Sequence, residues 1–131
     1  MIKIPQNKKL KILVIRFSSI GDIMLTTPVL RAVKMKSDRL VETHFVTKKT
    51  FGGILSNNPY VDQLHLFEGK LSALTHKLRK ERFDLIIDLH NSTRSNILAF
   101  HLNRPTARLR KLNIRKWMLT SFKINRMPNV H

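Results

Sequence analysis

With 131 residues the chain has room for one domain with a real core and not for two full-sized ones. The lack of cysteine excludes a disulfide framework, a thiol nucleophile and a cysteine metal site, and apolar runs such as Leu85-Ile86-Ile87 are far too short for a membrane span. Twenty-five Lys and Arg against eight Asp and Glu give a net charge of +17, a field that attracts nucleic acid, anionic lipid or phosphorylated substrates when it is more than a solvated face. The charge is uneven. Asp88 is the last acidic residue, and nine basic residues from Arg94 to Arg126 follow it.

Residues 1 to 9 read as a loose lead-in without the pattern of a secretory signal, so a cytoplasmic protein is expected. The first strand is predicted from Leu10 to Arg16. Its near-continuous apolar character, with Ile12, Val14 and Ile15 at the centre, suits a strand buried on both faces of a parallel sheet. Ser18-Ser19-Ile20-Gly21-Asp22 is then a turn in which Gly21 relaxes the backbone and Asp22 stands at an expected helix N-cap. The helix that follows places Leu25, Val29, Ala32 and Val33 on one stripe, and Pro28 predicts a kink or a delayed start.

A second strand is predicted over Val41 to Val46, with Thr47-Lys48-Lys49 as the loop at its end. A short helix over Phe51 to Leu55 is broken by Asn57-Asn58-Pro59. Val61 to Phe67 reads as a third strand, and Lys70 to Glu81 as a basic helix with Leu71, Leu74 and Leu78 inside. Asp84 to Leu89 is the second strong strand. It ends in His90-Asn91-Ser92-Thr93-Arg94, and Ser95 to Leu102 continues as a helix offering Ile97, Leu98 and His101 to one side. Pro105 to Leu109 reads as a last short strand. Ile114 to Lys123, with Trp117, Met118 and Phe122 among basic residues, reads as an amphipathic helix that either packs on the sheet or lies on an anionic membrane surface. Strands alternating with helices give an α/β class, a Rossmann-like parallel sheet flanked by helices.

Two loops carry the chemistry. Ser18 to Asp22 and His90 to Arg94 both follow strands expected to be parallel, so both emerge on the edge where open α/β sheets bind ligands. The first supplies a carboxylate at a helix start. The second supplies a guanidinium able to grip a phosphate or carboxylate bidentately. A carboxylate near a cation and a hydroxyl-bearing ligand is the minimum for general-base activation of an alcohol. An aspartate at a helix start is also common as a simple cap, and Arg94 as an exposed first-turn residue. No P-loop and no three-glycine dinucleotide fingerprint occurs. No histidine pair has metal-ligand spacing, so no metal site and no cofactor are implied.

Arg16-Phe17-Ser18-Ser19-Ile20-Gly21-Asp22 with Thr26-Thr27-Pro28-Val29-Leu30, followed at a distance by FDLIIDLHNSTRS, resembles the lipopolysaccharide heptosyltransferase-like glycosyltransferases of family 9. The resemblance implies the N-terminal, acceptor-side domain of a GT-B enzyme, in part or whole over residues 1 to 131, with the C-terminal nucleotide-sugar domain absent. It implies inverting, metal-independent transfer of a heptose or similar sugar from an ADP-sugar to a lipopolysaccharide core acceptor. Asp22 would be the general base, and Ser18, Ser19, Gly21 and Arg94 would contact the acceptor. The donor, ADP-heptose, would be a substrate of the absent half, so this chain alone is expected to be inactive. The partners implied are the core glycolipid and, peripherally, the anionic cytoplasmic face of the inner membrane, with no nucleic acid expected. A basic non-enzymatic module for nucleic acid or anionic surfaces is the competing reading, carried by charge alone, since no helix-turn-helix, RNP or zinc pattern occurs. The abrupt ending MPNVH also leaves open a truncated, non-functional product.

Overall fold

A computed structural model of the chain describes residues 9 to 36 and 40 to 108. The lead-in to residue 8, the basic amphipathic segment Ile114 to Lys123 and the ending lie outside the described residues. In chain order the elements are β1 (Leu10–Ile15), α1 (Ile20–Met24), α2 (Thr27–Lys36), β2 (Val41–Lys48), a 3-10 turn (Lys49–Phe51), α3 (Gly52–Leu55), β3 (Gln63–Phe67), α4 (Leu71–Arg79), β4 (Leu85–Asp88), α5 (Thr93–Leu102) and β5 (Thr106–Arg108).

The five strands form one sheet in the order β3-β2-β1-β4-β5, and every neighbouring pair is parallel. This is the α/β, Rossmann-like sheet expected from the alternation of elements. Because β1 is central, its residues Ile12 to Ile15 are fully buried, and their side chains alternate between two cores. Ile12 and Val14 join Ile23, Val29, Leu30, Val33 and Leu55 of α1 to α3 on one face. Leu13 and Ile15 join Leu74 and Leu78 of α4 and Leu98, Ala99 and Leu102 of α5 on the other. The sheet is thus doubly wound. Chain connections turn to one face after β1 and β2 and to the other after β3 and β4.

Three local expectations need correction. Asp22 is not an N-cap: Ser19 holds that position, with extended backbone and no side-chain capping bond, and Asp22 is the third residue of α1. Gly21 likewise sits inside α1 rather than opening a turn, and a Cβ there would meet nothing within 4 Å. Leu25 is 63 % exposed, because the helical stripe is interrupted there. Thr26 turns its hydroxyl onto the Ile23 carbonyl, and α2 restarts at Thr27 with Pro28 in its first turn, where a missing N–H costs nothing.

Elsewhere the boundaries shift. β2 runs to Lys48, since the extended chain after β1 keeps pairing with it through Arg16 N to Val46 O and Lys48 N to Phe17 O. The inner face of α5 is Ser95, Leu98, Ala99 and Leu102, whereas Ile97 and His101 face outward.

Candidate functional site

The strand order reverses between β1 and β4, whose connections leave in opposite directions. A crevice therefore opens between the loop after β1 and the loop after β4, both at carboxyl ends of strands. These are the Ser18–Asp22 and His90–Arg94 segments.

Arg16 ties the two loops together. One guanidinium nitrogen donates to the Leu89 carbonyl at 2.6 Å, and another lies 2.6 Å from Asp22 Oδ2. The Ser19 hydroxyl donates to the same carboxylate oxygen at 3.1 Å. Both members of the ion pair are largely but not wholly buried, with side-chain exposures of 14 % for Arg16 and 18 % for Asp22. A guanidinium on a carboxylate at this separation is a strong, oriented contact. It fixes the Asp22 carboxylate between the two loops, beside the exposed Ser19, Ile20 and Gly21. The Ser18–Ser19 peptide bond is cis.

The loop after β4 is supported from below by Asp88, which is fully buried. Its Oδ1 accepts the backbone N–H groups of His90 and Asn91, each at 3.0 Å, and its Oδ2 accepts the Ser95 hydroxyl at 2.9 Å. Ser92 and Ser95 add a reciprocal capping box at the start of α5. Asn91 takes a left-handed φ of 53°, a conformation asparagine tolerates better than most residues.

The bracing sets Arg94 one residue into α5. Arg94 is exposed, and its guanidinium lies 5.8 Å from the centre of the Phe67 ring. It lines a hollow of about 580 Å³ with Lys48, Lys49, Thr50, Phe67, Glu68 and Gly69. Lys49 is paired with Glu68 at 3.0 Å. Three cations around one hollow make it suited to anionic groups.

Phe17 links the two regions, with its ring 5.1 Å from both Phe67 and His90. The His90 ring also meets the Ser18 backbone. Burial, then the Arg16 charge, pushes His90 below the ordinary histidine range, with Asp88 opposing and Lys48 adding to the depression.

The site thus gathers Asp22 and Ser19 with Arg16, sets Ser18 against His90, and leaves Gly21 open in the first turn of α1. Arg94 stands in the basic hollow. Arg16, Lys48, Lys49 and His90 were not among the site residues expected from sequence. The signal for Arg16 was its place at the end of β1. The lysines give no local signal, because they reach the hollow only through the pairing of β2 with β3. A further cluster, His44, His65 and Glu81, lies under α4 and is taken up below.

No protein-family model matches the chain. In sequence it is 32 % identical over 101 residues to lipopolysaccharide heptosyltransferase 1 of Campylobacter coli, an alignment covering 72 % of this chain and 29 % of that protein. In structure it matches the ADP-heptose lipopolysaccharide heptosyltransferase II of E. coli with a TM-score of 0.67 and 27 % identity, over 84 % of this chain and 33 % of that one. The chain is a relative of the family 9 glycosyltransferases. A family 9 glycosyltransferase of Veillonella parvula DSM 2008 shares the fold, with a TM-score of 0.69 and 21 % identity over 87 % of this chain and 35 % of that one. The chain thus spans about a third of the length of the family 9 relatives it matches.

Proposed function

We propose that residues 1 to 131 form the acceptor-side domain of an inverting glycosyltransferase with GT-B architecture. It moves a heptose or similar sugar from an ADP-sugar to a lipopolysaccharide core acceptor without a metal in the transfer step. The donor is held by a second domain outside these residues. One observation carries the reading: a carboxylate fixed by Arg16 and Ser19 at the point where the strand order reverses.

In this mechanism an acceptor hydroxyl attacks the anomeric carbon from the face opposite the leaving nucleotide. The new C–O bond forms as the bond to the diphosphate breaks, and ADP departs with the electron pair. Asp22 takes the hydroxyl proton. Aspartate side chains are ordinarily ionised at neutral pH, so the base is ready before the acceptor arrives. Ser18, Ser19 and Gly21 border the acceptor, with Gly21 leaving space where a side chain would stand. Arg94, with Lys48 and Lys49, receives the acceptor's anionic groups. The protein works on the cytoplasmic side of the inner membrane, at its anionic surface. The +17 charge supports this, and no described helix is long and apolar enough to cross the membrane.

The test has two arms. Calorimetric titration of the 131-residue chain with a delipidated, phosphorylated inner-core oligosaccharide should give binding, and the chain alone should give no turnover of ADP-heptose. In the product of the full reading frame, Asp22→Ala should abolish most transfer while acceptor affinity persists. Near-normal transfer by that variant would overturn the assignment of the base.

A further inference from the structure

Under α4, on the side of the sheet away from α2, two imidazoles meet. His44 and His65 come from the adjacent strands β2 and β3 and are 0 % and 3 % exposed. Their rings lie edge to edge, centroids 5.1 Å apart and planes 12° apart, and His44 Nδ1 lies 2.8 Å from His65 Nε2. Glu81, just past the end of α4, brings a carboxylate so that donor atoms of the three residues all lie within 4.8 Å of one another. We propose that His44, His65 and Glu81 form a structural site for a divalent first-row transition ion of the zinc type.

Two imidazoles and a carboxylate suit such an ion, with a fourth position left for water. An independent observation points the same way. Glu42 Oε2 lies 2.5 Å from His44 Nε2. A carboxylate in that position takes the Nε2 hydrogen and leaves the Nδ1 lone pair facing His65 and Glu81, the outer-shell arrangement found behind metal-binding histidines.

The proton balance closes. In the 2.8 Å contact His65 Nε2 must supply the hydrogen, because His44 Nδ1 then carries none. An ion in that place requires the other neutral tautomer of His65, with the hydrogen on Nδ1, a buried atom without a hydrogen-bond partner among the described residues. No proton is released.

The geometry must adjust. Zinc–nitrogen bonds of about 2.0–2.1 Å in a tetrahedron hold ligand atoms about 3.3 Å apart, so the two nitrogens part by about 0.5 Å and each ring turns by roughly 35° out of the present head-on line to aim its lone pair at the ion. Glu81 is partly exposed, and its Oε1 now lies 2.8 Å from Lys11 Nζ, a contact that loosens as the carboxylate swings toward the ion. Such an ion would clasp β2, β3 and the end of α4, apart from the loops of the transfer site.

Metal-free 131-residue chain titrated with zinc chloride, followed by calorimetry and thermal melting, tests the site. One ion per chain should bind and raise Tm, and cobalt(II) should give the intense visible bands of a tetrahedral site. Glu81→Gln should weaken binding at least tenfold, and Glu42→Gln by roughly 10- to 100-fold. Both glutamates are partly exposed, so these variants avoid emptying the buried histidine positions. Absence of one-to-one binding would overturn the proposal. So would affinity unchanged in both variants, which would assign the ion to exposed histidines such as His76 and His101.

Discussion

The loops after β1 and β4 begin alike, each leaving a buried parallel strand at the same edge of the sheet, and they are built in opposite ways. After β4 the polar groups look inward. Asp88 holds two backbone N–H groups and a hydroxyl, and Ser92 and Ser95 cap each other. After β1 the Ser19 cap makes no side-chain bond to the backbone, and its hydroxyl turns to Asp22 instead. Arg16 then pairs with the same carboxylate, while its Nε, though buried, has no partner among the described residues. One loop uses its side chains to hold its own shape. The other uses them to hold a carboxylate at the surface of a crevice. Arg16 couples the two, since its second contact is the Leu89 carbonyl.

The largest expected effect separates the loops by chemistry. In the full-length enzyme Asp22→Ala should lower the transfer rate by roughly 100- to 10,000-fold, the usual worth of a positioned base, with acceptor affinity little changed. Asp22→Asn keeps the shape and should be nearly as slow. A variant that loses acceptor binding and rate together would make Asp22 a structural residue and erase the contrast with Asp88.

Asp88→Ala should act on stability. It takes the acceptor from the N–H groups of half-buried His90 and exposed Asn91 and from the buried Ser95 hydroxyl, which keeps the Ser92 carbonyl at 3.0 Å, at a cost of about 2 kcal/mol. Chemical denaturation should show the loss, and acceptor affinity should fall with it because the start of α5 carries Arg94. Unchanged stability would mean that solvent replaces the carboxylate and that the loop needs no brace.

Arg94→Ala should raise the Kd for a phosphorylated acceptor about tenfold and leave the unfolding midpoint nearly unmoved, since the side chain is exposed. Arg94→Lys keeps the charge but loses the planar fork over Phe67, so it should recover only part of the affinity. Full recovery would reduce the hollow to a general positive field.

The core was legible because β1 and β4 are continuous apolar runs that need burial on both faces. Ile12 to Ile15 and Leu85 to Ile87 are accordingly at most 1 % exposed. Leu25 was misplaced because a helical stripe was carried through Thr26, where the helix breaks, and periodicity does not register such a break. Apolar spacing alone puts Ile97 and His101 inward, one position out of phase with the true inner face, because the small residues Ser95 and Ala99 carry little hydrophobic signal. At the site, Asp22 was visible in the sequence, but its partner was not, since Arg16 and Asp22 are six positions apart across a loop whose path is set by pairing with β2. The same limit hid His44 with His65. Their contact depends on the β2–β3 register, and a spacing of 21 residues carries no local signature.

The smallest expected effect belongs to His90, where the two loops touch. Phe17, the Ser18 backbone, Arg16, Lys48 and Asp88 surround it, and burial followed by the Arg16 charge lowers its pKa in the fold. The unfolded chain keeps the ordinary value near 6.5, so between that value and the lower folded one the unfolded chain binds the extra proton. The contribution of neutral His90 to stability is therefore complete above 6.5 and declines as pH falls through that value toward the folded pKa. His90→Gln removes the titration, and its stability should fall less steeply than that of the native chain between pH 7 and 5. The difference between the two profiles isolates His90 from His65, which also resists protonation. Parallel profiles would mean that His90 is protonated as readily in the fold as in the unfolded chain.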